Sequence, residues 1–73
     1  MKTIIEEAMA VYMNELEKIS VIRNDAYYKA SNAMHRGDAR NYNVWAKKVQ
    51  ECNDRQIELN NELNELKAAY AGV

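Results

Sequence analysis

The sequence predicts an all-α fold, an antiparallel two-helix hairpin that assembles into a homo-oligomeric helical bundle. Three observations carry this. The 73 residues contain no Pro and two Gly, and only Gly37 lies inside the chain, so there is a single strong break. On both sides of that break apolar residues recur in alternating steps of three and four, the spacing of a helical seam. And a chain of this size buries only about 60% of the surface its unfolded form exposes, so it needs a staple or a partner. Cys52 is the only cysteine, which excludes an internal disulfide. One Cys and one His do not make a closed zinc site, so no metal or cofactor is expected. Self-association is the remaining route.

The first helix is expected over about residues 2–35. Its stripe is Ile5, Met9, Tyr12, Leu16, Ile19, Arg23, Ala26, Ala30 and Ala33, with Arg23 the one polar intruder. A kink near Arg23-Asn24-Asp25 is the alternative to a continuous helix, because Asn24 or Asp25 could cap a new segment. The turn falls at residues 36–38. Gly37 can take the left-handed conformation that ends a helix, and Asp38 can accept from the first free amides of the next. Arg36-Gly37-Asp38 also spells the integrin-binding tripeptide, but a turn cap explains it. The second helix is expected over about residues 39–70, with the stripe Tyr42, Trp45, Val49, Cys52, Gln56, Leu59, Leu63, Leu66, Tyr70 and Val73. Folding at Gly37 sets Ala33, Ala30 and Ala26 against Tyr42, Trp45 and Val49, so small residues face large ones near the turn. Arg23 then meets Cys52, and Leu16, Tyr12, Met9 and Ile5 meet Leu59, Leu63, Leu66 and Tyr70. At about 1.5 Å per residue the hairpin is roughly 50 Å long. The whole of residues 1–73 reads as one domain.

Two surfaces flank this seam. On one side Met13, Tyr27 and Met34 face Ala46, Asn53 and Asn60, an apolar and nearly uncharged strip that reads as an oligomer interface. On the other lie Lys29, Arg36, Lys48 and Arg55, with Lys29 opposite Lys48 and, farther out, Glu15 opposite Glu62. Like charges facing each other are unfavourable unless something of opposite sign intervenes. One resolution packs two hairpins antiparallel through this flank, centred near Ile22 and Arg55. The other places an anion in the basic layer.

The charge distribution sharpens the second possibility. Net charge is −1, but residues 1–22 carry two cations and four anions, residues 23–48 six cations and two anions, and residues 49–73 two cations and five anions. The turn third is therefore +4, between thirds of −2 and −3. Tyr27, Tyr28, His35, Tyr42 and Trp45 fall in the basic third, and cations interleaved with rings suit nucleotides. The expected ligand residues are Lys29, Arg36, Arg40 and Lys48, with Tyr28, Tyr42 and Trp45 as stacking surfaces and Arg23 as a semi-buried anion contact. Arg23 can instead fix register with Gln56 and Glu51.

No glycine-rich phosphate loop, nucleophile elbow or metal motif is present, so an enzyme is not expected. Helix two turns acidic after Cys52, which argues against duplex DNA. Acidic residues arrive at Glu6 and Glu7 before a signal-peptide core could form, and no run reaches the length of a membrane span. A cytoplasmic location is expected, the host cytoplasm if the chain is viral. In size and style the chain resembles accessory proteins of viruses and mobile elements. The leading expectation is a non-enzymatic protein that oligomerises and binds or sequesters an anionic nucleotide-like ligand. The alternatives are an interaction module or inhibitor of a host or partner protein, using the same basic and aromatic end against an acidic surface or the apolar flank against a helix, and a purely structural assembly protein.

Overall fold

A computed structural model describes residues 2–72 of the chain. It is a helical hairpin: α1 spans Lys2–His35 and α2 spans Ala39–Ala71, packed along their full length in a body 54 × 14 × 12 Å. The expected all-α hairpin is present. Helix α1 runs unbroken through Arg23-Asn24-Asp25. No Gly or Pro interrupts residues 1–36, and Asn24 and Asp25 both project from the exposed side of the helix, where neither side chain disturbs the backbone ladder. No helix among the described residues is long and apolar enough to cross a membrane.

The turn is built from the two residues that the sequence singles out. Gly37 sits at φ +70, the left-handed region that glycine enters without a Cβ penalty. The Asp38 amide then donates to the Ala33 carbonyl (2.9 Å) and the Gly37 amide to the Met34 carbonyl (3.1 Å), the paired bonds of a Schellman ending. Asp38 immediately starts α2. Its Oδ1 accepts from the Asn41 amide at 3.1 Å and its Oδ2 from Asn41 Nδ2 at 2.7 Å, and these bonds hold the carboxyl below its usual range. With both oxygens engaged, this carboxylate serves the cap.

The seam is thin. Among the described residues only Ile19, Ala26, Ala30, Ala33, Cys52, Leu59 and Leu63 are buried. Three are alanines near the turn, where the absence of bulk lets the helices approach. Ile19, Cys52 and Leu59 form the central cluster, with Tyr12 and Leu16 against it. Leu59 is the largest fully buried side chain. Tyr42, expected in the seam, is instead 38% exposed; the small Ala33 opposite it gives the ring nothing to pack under at the last layer before the turn. Val73, the end of the expected stripe, lies outside the described residues.

Polar aromatics lock the open end. The Tyr70 hydroxyl donates to Glu6 Oε1 at 3.0 Å, 64 residues away in sequence, and the Lys2 ammonium lies 5.1 Å from the Tyr70 ring centroid. That hydrogen bond, and then the carboxylate's charge, raise the Tyr70 hydroxyl above its usual range. Glu62 does the same to Tyr12, first by hydrogen bonding and then by its charge.

Candidate binding surfaces on the two flanks of the seam

The seam divides the functional residues between two flanks, a consequence of helical phase. Ile22 and Lys29 on α1 repeat at seven residues, as do Lys48 and Arg55 on α2, and these four flank the same side of the stripe, while Arg36, seven residues past Lys29, already lies in the turn. Here the Lys29 ammonium stands 4.5 Å from the Trp45 ring centroid, a cation–π contact. Lys29 also bonds Asp25 at 3.0 Å, one turn earlier on its own helix. Beside this pair a shallow groove of about 190 Å³ is lined by Ile19, Ile22, Lys48, Glu51, Cys52 and Arg55. Arg55 Nη1 donates to Glu58 at 2.9 Å. Among the described residues Lys48 has no ion pair.

The like-charged layers expected from the register are thus relieved locally. Asp25 and the Trp45 ring take up Lys29, Glu58 takes up Arg55, Lys18 stands 4.0 Å from Glu15, and Tyr12 faces Glu62. Exposed pairs of this kind stabilise by about 0–1 kcal/mol each. They relieve part of the electrostatic reason for a second hairpin to pack on this flank, where Ile22 and Arg55 line the groove beside Lys48.

The opposite flank is apolar. Tyr27, Ala30, Ser31, Met34, Tyr42, Ala46 and Val49 line a groove of about 210 Å³ with no charged residue in its walls. Met13, two heptads from Tyr27, continues the strip and is exposed. Three of the expected interface residues, Tyr27, Met34 and Ala46, therefore form one surface with Met13 in line.

The expected ligand residues do not converge on a single site. Lys29 and Trp45 touch, and Lys48 lies on their flank. Tyr42 belongs to the apolar groove across the seam. Tyr28 is 66% exposed on the outer face of α1, one residue from Lys29 but pointing away from the seam. Arg36 and Arg40 are exposed on either side of the turn. Arg23 is half-buried, and its Nε is shut away from solvent with no hydrogen-bond partner; the pairing with Gln56 or Glu51 that would fix register does not reach that atom. The buried Cys52 thiol is free and packs as a small hydrophobe. Among the described residues no group of three or more His, Cys, Asp or Glu could hold a metal ion.

The sequence missed two features. Tyr70–Glu6 and Tyr12–Glu62 join stripe tyrosines to carboxylates of the opposite helix, and a tyrosine in an open-end layer with Glu flanking it is the signal that marks them. The Lys29–Asp25 pair was passed over as well, and its four-residue spacing is the signal that marks it. Comparison with protein-family models, curated proteins and solved structures gives no match.

Proposed function

We propose that the chain is a non-enzymatic binding protein that holds or sequesters an anionic, nucleotide-like ligand on its basic flank. The observation that carries this reading is Trp45, its ring already capped by the Lys29 ammonium at 4.5 Å, on the same flank as a groove lined by Lys48, Arg55 and Glu51, where Lys48 has no ion pair among the described residues. A phosphate group bridging Lys48 and Lys29 satisfies the unpaired cation. The ligand's flat or apolar body covers the Trp45 edge and the Ile22 side chain, since stacked rings and cations together recognise nucleotides whatever their base. Arg36 and Arg40 steer the anion toward the turn end, an effect that weakens with salt.

Trp45 is the only tryptophan and reports its own site. Titration of its fluorescence with nucleoside mono-, di- and triphosphates, and with inorganic phosphate, is expected to saturate for a nucleotide. Lys48→Ala and Lys29→Ala each weaken binding about tenfold or more, the effect of removing one charge-assisted contact, while the helical circular-dichroism signal stays unchanged. Unchanged binding in both variants, or no saturation with any nucleotide, refutes the reading.

A second reading is favoured by Tyr28, Val21, Val44 and Ile57, all well exposed on the outer faces. A partner protein that covers them makes the chain an interaction module or inhibitor. A stable complex recovered without added small molecule, and lost on Tyr28→Ala, separates this reading from the first.

A further inference from the structure

The apolar flank has no role in the anion reading and stands independently of it. We infer that a second copy of this chain covers it, running antiparallel, so that the Tyr27–Met34–Tyr42 groove of one hairpin receives Met13 of the other.

Exposed area is the first argument. A compact monomer of 8.5 kDa exposes about 4,700 Å², whereas this chain exposes 5470 Å². The difference of roughly 800 Å² is what each partner contributes to a standard stable interface. Shape agrees: the radius of gyration is 16.5 Å against about 11 Å for a compact domain of this length. A second rod laid alongside the 54 Å length of the first makes the assembly less elongated.

Register supplies the orientation. Met34, Tyr27, Ser20, Met13 and Glu6 recur every seven residues on this flank of α1, each about 10.5 Å from the next. A two-fold axis at Ser20 places Tyr27 against Met13 and Met34 at the level of Glu6. Every apolar member of the strip then meets the other copy, and the groove by the turn, lined by Ala30, Ala46 and Val49, takes in the Met13 side chain. Methionine suits such an irregular slot.

Charge decides between the two directions. The turn third carries +4 and the two thirds at the open end −2 and −3, counted from the sequence. Antiparallel packing sets basic thirds on acidic ones, whereas parallel packing sets +4 on +4. From Met34 to Met13 the strip carries no charge, and Glu6, its one ion, stands at the outer end where it accepts from the Tyr70 hydroxyl, so burial of the apolar part strands no ion.

Light scattering on a size-exclusion column, at low-micromolar loading, is expected to give at least twice the 8.5 kDa chain mass. Met34→Glu puts a carboxylate into the strip with helix propensity nearly unchanged, and Ala46→Glu does so at a cost of about 0.4 kcal/mol in propensity. Each is expected to weaken association about a hundredfold or more, the effect of burying an unpaired charge, and to give the monomer mass with a full helical spectrum. Ile22→Glu, on the other flank, leaves the mass unchanged. In a Cys52→Ala background, Met13→Cys and Tyr27→Cys chains mixed under oxidation are expected to cross-link to each other. A monomeric wild-type chain overturns the inference, as does dissociation by Ile22→Glu alone or cross-linking of each cysteine variant only to itself. The monomeric Met34→Glu variant that still binds nucleotide at Trp45 separates the two flanks; loss of binding in a dimer that remains intact refutes only the anion reading.

Discussion

Arg23 and Gln56 are the polar residues of the seam stripe, and Arg23, the charged one, is the residue whose replacement should stabilise the hairpin. Its Nε is buried without a partner, and an unsatisfied buried donor costs about 1–3 kcal/mol. Arg23→Met keeps the length of the stem that packs across the seam and removes the donor. Part of the gain is offset by imperfect packing, so a net stabilisation of about 1 kcal/mol is expected, which for a chain of this size raises the thermal midpoint by about 4–8 °C. Arg23→Lys separates the donor from the charge, because it places a methylene near the Nε position and keeps the cation at the tip. It should recover much of the same gain. The assay is urea unfolding followed by circular dichroism at fixed chain concentration, with the slope m monitored to confirm that the exposed surface is unchanged. Destabilisation of both variants by about 1 kcal/mol or more would show that the guanidinium stabilises the fold through its Nη groups by more than Nε costs it, and would refute the reasoning.

Two further outcomes follow from the same geometry. Leu59→Ala empties the most completely buried large position, 1% exposed, and is expected to destabilise by about 3 kcal/mol, toward the lower end for leucine truncation because two helices can partly close the gap; a loss under about 1 kcal/mol in urea unfolding would mean the seam is not packed there. Tyr70 and Tyr12 are raised above the usual tyrosine value of about 10 by Glu6 and Glu62, so their hydrogen bonds stabilise the fold fully below that pH and the stabilisation is lost as pH rises through the raised folded values. Thermal midpoints scanned into alkali should fall for the wild type and fall less for Tyr12→Phe/Tyr70→Phe, and parallel curves would refute that assignment.

The fold was legible because its determinants are local and few. A chain without Pro, with one internal Gly followed by Asp, has one place to turn, and Gly37 and Asp38 perform there the two tasks their chemistry suits. The alternation of three and four then fixes which faces meet, and it placed Ile19, Ala26, Ala30, Ala33, Cys52, Leu59 and Leu63 correctly in the seam. Where the periodic pattern misled, the reason is the partner's size: Tyr42 occupies a stripe position, but the alanine across from it leaves the ring half outside.

The binding surfaces were legible only in part. Grouping Lys29, Lys48, Tyr42 and Tyr28 by their third of the chain ignored helical phase, and phase sends Tyr42 across the seam and Tyr28 outward. The opposition of Lys29 to Lys48 looked unresolved in the register because register describes backbone positions. Long side chains find partners on their own helix, as Lys29 does with Asp25 and Arg55 with Glu58. Tyr70–Glu6 depends on side chains meeting across 64 residues, which periodicity alone does not specify.

One measurement bears most directly on a hairpin with one flank for assembly and one for an anion. A native mass spectrum of the protein, purified gently and then incubated with a mixture of nucleoside triphosphates, is expected to show oligomers built on the 8.5 kDa chain that carry nucleotide mass, with the Lys48→Ala chain forming the same oligomers bare. A bare monomer from the wild-type chain under those conditions would contradict both halves of that description.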